Sequence, residues 1–208
     1  MEISVIMSTY KEEINLLKES IESILNQTYK DFEFIIILDN PMNTEHIKVI
    51  EKYAQNDSRI RFFINDENMG LTKSLNKGLS LAKGKYICRM DADDISDPRR
   101  LEIEKEYLDE HGECDFVGGR GQFFIQDIGD DQETYWFCKT PKAKDFLFSV
   151  PFVHASCMFR KEALQKVHGY DTTKKRVRME DYDMLLRLYA NGCYGSNVED
   201  ILYYIRRD

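Results

Sequence analysis

Three carboxylates, Asp91, Asp93 and Asp94, stand directly behind a short apolar run, Tyr86 to Met90. Such a run predicts a strand, and a strand that ends in acids delivers them to one edge of a sheet. In open α/β folds, ligands bind beyond the carboxyl ends of the strands. Carboxylates this close repel one another, and a divalent cation relieves the repulsion by taking hard oxygen ligands. Mg²⁺ or Mn²⁺ held by one or two carboxylates usually shares its shell with substrate phosphates. The cluster therefore predicts a metal and a phosphorylated substrate. The competing reading, a purely structural acidic turn, leaves three carboxylates at a buried edge with nothing to offset their repulsion.

The elements that must position these acids follow from hydrophobic spacing. Ile3–Met7 predicts a first strand, and Ile14, Leu17, Ile21, Ile24 and Leu25 fall on one face of a helix. Phe34–Leu38 is a continuous apolar run, which predicts a strand buried on both faces. Val49–Tyr53 belongs to a second helix and Ile60–Ile64 to a third strand. Leu71, Leu75, Leu79 and Ala82 mark the next helix, with Gly84 as its expected C-cap residue. After the acidic strand, Pro98 is expected in the first turn of another helix. Alternating strands and helices imply an α/β fold with a mostly parallel central sheet flanked by helices. From about residue 116 to 140 the pattern changes to short strands and turns, punctuated by Gly118, Gly119 and Gly121. The chain stops at Asp208, just after a strand-like run Ile201–Ile205, which predicts an extension beyond it.

Length and composition bound the answer. With 208 residues, 42% of them apolar, the chain predicts a single domain, 1–208, large enough for a sizeable core. It divides into a half of about 1–115 and a smaller mixed region of about 116–208. A formal charge of −8 argues against nucleic acid as a partner. Five widely spread cysteines without metal-type spacing read as reduced thiols, and the expected location is cytoplasmic. Neither a signal peptide nor a spanning helix is evident, so any membrane association is expected to be peripheral.

Five segments stand in order along the chain: Ser4–Tyr10, Ser23–Tyr29, Asn68–Gly78, Asp91-Ala92-Asp93-Asp94 with Pro98-Arg99-Arg100-Leu101, and Met179–Leu188. Together they resemble the family-2 glycosyltransferases, which have the GT-A nucleotide-sugar-binding fold, over nearly the whole chain. The resemblance implies a nucleotide-binding half at about 1–115 and an acceptor-side half at about 116–208. It also implies a role for several residues. Thr9, Tyr10 and Glu12 would line the nucleotide pocket; as a plain strand-to-helix turn, Thr9 would instead sit near a helix N-cap. Asp39 would contact the nucleoside, although relatives commonly carry Asp-Asp-Gly-Ser where this chain has Leu38-Asp39-Asn40-Pro41. A turn-forming aspartate before Asn-Pro is the alternative there.

Asp91-Ala92-Asp93 matches the family's Asp-X-Asp motif, with Asp93 on Mn²⁺ or Mg²⁺ and Asp91 on the ribose or the metal's water shell. Asp94 is expected to cap the segment before Pro98. Asp181 is implied as the base that deprotonates the acceptor hydroxyl during inverting transfer, with Glu180 supporting it or touching the acceptor. Acids also complement a helix N-terminus, and Asp183 is spaced to pair with Arg187. His154 would join the metal shell, bind an acceptor hydroxyl or simply fill the core. Tyr135 and Trp136 could stack on a sugar or merely pack. Lys174–Arg178 forms the one dense basic run, either a loop closing over the donor diphosphate or a solvated one.

The implied function is a metal-dependent inverting transfer from a nucleotide sugar, with UDP-sugars expected, to a glycan or lipid-linked saccharide. The family places this in surface-polysaccharide synthesis, at the inner face of the membrane. A non-catalytic nucleotide-sugar-binding or scaffold module is the alternative, though it predicts loss of the acids. A sugar-1-phosphate nucleotidyltransferase fits less well, because Ser8-Thr9-Tyr10-Lys11 lacks the glycine-rich loop that would cradle a triphosphate.

Overall fold

The computed structural model describes residues 1–173 and 179–207. Eight strands form one mixed sheet in the order β3-β2-β1-β4-β7-β6-β8-β5. The first half follows the alternation expected: β1 (Ile3–Thr9), α1 (Ile14–Leu25), β2 (Phe32–Leu38), α2 (Thr44–Asn56), β3 (Ile60–Ile64), α3 (Leu71–Leu81) and β4 (Tyr86–Met90). These four strands pair in parallel. Every residue of β2 is buried, as an uninterrupted apolar run requires of a strand covered on both faces.

The period of two along these strands divides the core into two layers. Ile3, Val5, Met7, Phe34 and Ile36 face one layer with Leu17, Ile21 and Ile24 of α1 and Ile50 of α2. Ile6, Ile35 and Ile37 face the other, which packs on Leu75 of α3. Each such isoleucine contributes roughly 1.5–3 kcal/mol by leaving water. Slipping either strand by one residue would exchange the two layers, so the register is strongly specified.

The second half contains β5 (Ile95–Ser96), α4 (Arg100–Glu110), β6 (Phe116–Phe124), β7 (Met158–Arg160), α5 (Lys161–Lys166), α6 (Glu180–Ala190) and β8 (Gly195–Arg206). Here the sheet becomes mixed: β7 runs antiparallel to β4 and β6, whereas β6 and β8 are parallel.

Several local expectations are corrected. Residues 116–124 form one nine-residue strand rather than several short ones. Its glycines face bulky neighbours: a Cβ on Gly119 would lie 2.5 Å from Leu202. Pro98 precedes α4, which begins at Arg100. Gly84 is not a cap, since α3 ends on an extended Ala82. It is a close-approach glycine instead, where a Cβ would lie 2.6 Å from the Ser4 nitrogen of β1. The buried face of α6 is Asp183, Met184, Leu185, Leu188 and Tyr189. Among the described residues no helix is long and apolar enough to cross a membrane.

Candidate active site

Parallel pairing puts Thr9 opposite Leu38 and Met7 opposite Met90. The segments that follow β1, β2 and β4 therefore leave the sheet from the same edge, carrying Tyr10, Asp39 and the acidic turn. At β1, the Glu12 carboxylate accepts from the Thr9 hydroxyl at 2.6 Å and from the Tyr10 backbone N–H at 2.8 Å. Buried His46 of α2 braces this turn, its Nε2 2.9 Å from the Glu12 carbonyl and its Nδ1 3.2 Å from Thr9 Oγ1. The Tyr10 ring remains exposed.

Asp39 is buried and its carboxylate accepts from Asn65, from the Met69 N–H at 2.8 Å and from the Gly70 N–H at 2.7 Å. It thereby fastens the segment that enters α3, where Gly70 takes a φ of +87° that disfavours a side chain.

The acidic turn is held from β8. The Tyr203 hydroxyl accepts from the Asp91 N–H at 3.1 Å, the Arg206 guanidinium donates to the Asp93 carbonyl at 3.0 Å, and the Arg206 N–H donates to Asp94 at 2.8 Å. Asp94 therefore caps the end of β8 and not the segment before Pro98. Burial, reinforced by Asp91, pushes its carboxyl up to about 7. Asp93 is exposed and Asp91 half-buried. Burial raises both carboxyls, as does the repulsion of neighbouring acids, Glu12 among them.

Arg89, the penultimate residue of β4, was not among the expected site residues. Its buried guanidinium donates to Asp91 Oδ1 at 2.8 Å through one terminal nitrogen. Through the other it donates to Asp181 Oδ1 at 3.0 Å and to His154 Nδ1 at 2.8 Å. The antiparallel register, Cys88 opposite Met158, returns the chain to the end of β4 and brings the turn His154–Ser156 beside Arg89. Burial holds the imidazole down to about 4, so it is neutral at pH 7 and Nδ1 serves as an acceptor. That corrects the metal-shell option for His154, because the nitrogen nearest the acids already faces a guanidinium. Burial pushes Asp181 up, but His154 and Arg89 pull harder and leave its carboxyl below the usual range. With the imidazole neutral, Arg89 is the attraction that persists at neutral pH.

Arg89, Asp91, Asp94, His154, Asp181 and Tyr203 share the lining of one cavity of about 200 Å³ with Tyr135 and an apolar wall that includes Phe152 and Val153. A larger cavity of about 620 Å³, beside Asn76, Lys161 and Gln165, contains none of these acids. Trp136 is half-exposed. Asp183 pairs with Arg187 at 2.7 Å, as its spacing predicts. Glu180 opens α6 beside Asp181. The basic run 174–178 lies outside the described residues.

Asp91 and Asp93 supply the hard oxygens that Mg²⁺ or Mn²⁺ prefers. Among the described residues no three His, Cys, Asp or Glu side chains are grouped to hold a metal by themselves. The donor set therefore fits a divalent cation as a partial shell, to be completed by oxygens of another molecule.

Signals for the missed residues were weak. An arginine inside an apolar run, as at Arg89, is unusual enough to suggest a buried ion pair. Nothing in spacing points to His46 or Tyr203.

The sequence model of the family described as Glycosyl transferase family 2 matches residues 4–168. An uncharacterized glycosyltransferase of Methanocaldococcus jannaschii is 40% identical over 210 residues, covering 98% of this chain and 70% of that protein. The UDP-Gal:alpha-D-GlcNAc-diphosphoundecaprenol beta-1,3-galactosyltransferase of Escherichia coli is 30% identical, covering 98% of this chain and 73% of that protein. Among solved structures, Staphylococcus aureus TarS 1–349 in complex with UDP-GlcNAc superposes with a TM-score of 0.81 at 21% identity. It covers all of this chain, which spans 59% of the TarS chain, and the likeness establishes the GT-A fold. The match over 4–168 and the two relatives agree with the fold, and the chain is a glycosyltransferase belonging to glycosyltransferase family 2.

Proposed function

We propose that the protein is a metal-dependent inverting glycosyltransferase that moves a sugar from a nucleotide sugar, with a UDP-sugar favoured, to a hydroxyl of a glycan or lipid-linked saccharide. The observation that carries this reading is the shared cavity: Asp91 of the acidic turn and Asp181 of α6 line the same small space. At about 200 Å³ it lies below the ~300–1,000 Å³ of sites that enclose whole drug-sized ligands. It therefore suits one sugar ring, with the nucleotide outside it along the ends of β1 and β2.

In this reading Thr9, Tyr10, Glu12 and Asp39 shape the nucleoside site. Tyr10 offers an exposed ring for the base, while Glu12 and Asp39 act largely by fixing the loops around it. Asp93 and Asp91 would hold Mn²⁺ or Mg²⁺ together with the donor diphosphate, with Ala92 between them anchoring the turn in the core. When bound, that cation offsets the charge that develops on the leaving diphosphate. Asp181 is ionised at neutral pH and takes the proton of the acceptor hydroxyl as its oxygen attacks the anomeric carbon. With one base and no nucleophile from the protein, the bond forms on the face opposite the departing diphosphate, and configuration inverts. Glu180 and His154 lie on the acceptor side, His154 as a wall of the cavity.

A role in surface-polysaccharide synthesis is supported by the E. coli relative, whose name specifies a diphosphoundecaprenol-linked acceptor. Such an acceptor would bring this chain to the inner face of the membrane as a peripheral protein.

Calorimetric titration of UDP and then GDP, with Mn²⁺ and with EDTA, tests the donor site. Metal-dependent UDP binding that is lost in Asp93→Ala is expected. If neither nucleotide binds with metal present, the transfer mechanism fails for this chain. A preference for GDP would retain the mechanism and replace the donor.

A further inference from the structure

We infer that Arg89 is the positioning residue of the transfer step, joining the donor-side Asp91 to the acceptor-side Asp181 so that the base is held at a set orientation to the donor. The inference rests on the transfer reading above and names a residue to which that reading assigns no role.

The geometry is specific. One terminal nitrogen of Arg89 meets Asp91 Oδ1 at 2.8 Å, and the other meets Asp181 Oδ1 at 3.0 Å. The two acids belong to different halves of the chain, one just beyond β4 and the other in the first turn of α6. The guanidinium has little freedom of its own. It is buried, and His154 Nδ1 accepts from the same nitrogen that reaches Asp181. His154 is held in turn by Tyr170, whose ring meets the imidazole edge-on with centroids 5.7 Å apart. The Asn76 side chain of α3 fastens the Tyr170 backbone through two hydrogen bonds of 2.8 Å. The backbone below Arg89 is secured too, because Arg100 of α4 donates to the Arg89 carbonyl at 3.0 Å. Elements on both faces of the sheet thus converge on one planar cation.

A planar fork suits this task where an ammonium does not. Arginine presents donors in fixed directions and can meet two carboxylates at once, whereas lysine offers a point charge on a flexible stem. By engaging Oδ1 of Asp181, Arg89 leaves Oδ2 to take the acceptor proton. Small errors of placement are costly at this step: a displacement of about 1 Å can cost on the order of 10²-fold in rate. Arg89 borders the cavity, but its terminal nitrogens are engaged by Asp91, Asp181 and His154, so it acts through Asp181.

The test uses Arg89→Lys and Arg89→Met in the full chain. Mn²⁺-dependent UDP affinity is measured by calorimetry. Turnover is read as release of UDP from whichever of UDP-GlcNAc, UDP-Gal and UDP-Glc the unmodified protein consumes, with water as acceptor where no glycan serves. Positioning predicts that UDP affinity stays within about threefold while kcat falls at least 30-fold in both variants, Lys giving no rescue. Asp181→Asn combined with Arg89→Lys should be no slower than Asp181→Asn alone, a non-additivity that a merely structural role would not produce.

A readout on the protein alone runs beside these. In urea, the midpoint shifts of Arg89→Met and Asp181→Asn should be non-additive, because each removes the same contact. Additive midpoints, an Arg89→Lys enzyme with normal kcat, or UDP affinity and turnover falling together would each overturn the inference. Should the unmodified protein bind no nucleotide with Mn²⁺, the transfer reading itself fails. The urea midpoints then still decide whether Arg89 joins the two halves.

Discussion

Between pH 7.5 and pH 5, acidification should cost this protein stability through His154, and the size of the effect can be worked out. The imidazole is 3% exposed, and burial holds it down to about 4 against an ordinary 6.5. The folded state therefore refuses a proton that the unfolded chain accepts. Because the folded value is depressed, stability from this group is complete above pH 6.5 and is lost as the pH falls towards 4. The full gap corresponds to about 3 kcal/mol, of which about 2 kcal/mol is already lost between pH 7.5 and pH 5. The charged groups facing the ring are Arg89 from β4 and Asp181 from α6, with the Tyr170 hydroxyl 3.5 Å from Nε2. Asp94, pushed up to about 7, and Glu104, pushed up to about 8 by burial, act in the opposite direction. The raw pH dependence of the protein therefore mixes signs, and a difference measurement is needed.

His154→Asn supplies it. An amide oxygen can replace Nδ1 as the acceptor for Arg89 but does not titrate. Urea unfolding of both proteins at pH 7.5 and pH 5 should show the unmodified protein losing about 2 kcal/mol more than the variant. A pH-independent loss from the smaller side chain, about 1–3 kcal/mol, is expected at both pH values and cancels. Equal pH dependence in the two proteins would refute the idea that His154 is buried neutral against Arg89.

Two further perturbations test the support of the site and the sheet. Tyr203→Phe removes the hydroxyl that accepts from the Asp91 N–H. It should cost about 1–3 kcal/mol in urea and weaken Mn²⁺-dependent UDP binding; unchanged affinity would separate the acidic turn from its clamp on β8. Gly84→Ala places a methyl group against β1 backbone atoms, at 2.6 Å from the Ser4 nitrogen and 2.7 Å from the Ile3 carbonyl carbon. A loss at or above about 1–3 kcal/mol is expected from overpacking against atoms that cannot rotate away, and an unshifted urea midpoint would contradict it.

The alternating half of the fold and the place of its acids are legible in local spacing alone. Phe34–Leu38 reads as a doubly buried strand because a run without polar residues has no face to give to water, and β2 is buried throughout. The acids after Tyr86–Met90 reach the sheet edge because a strand has only two ends. Their neighbours Thr9 and Asp39 follow from parallel pairing of similar strands. Short-range patterns of this kind depend on residues a few positions apart, and they survive translation into structure.

What failed or stayed silent depended on partners far away in the chain. Gly84 has the spacing of a helix cap, yet its lack of a side chain serves Ser4, 80 residues earlier. Asp94 looks like a local cap, but its partner is the Arg206 N–H, 112 residues later. Residues 116–124 look broken by glycine, and only the close passage of β8 explains why they form one strand. Arg89 is the clearest case. A lone arginine in an apolar run shows that a charge must be compensated, but not by which acids. Only the antiparallel return of β7 and the docking of α6 bring His154 and Asp181 to it, beside Asp91. Asp91 and Asp181 meet across one guanidinium only in the folded chain, because no periodicity along the sequence encodes a contact between its halves.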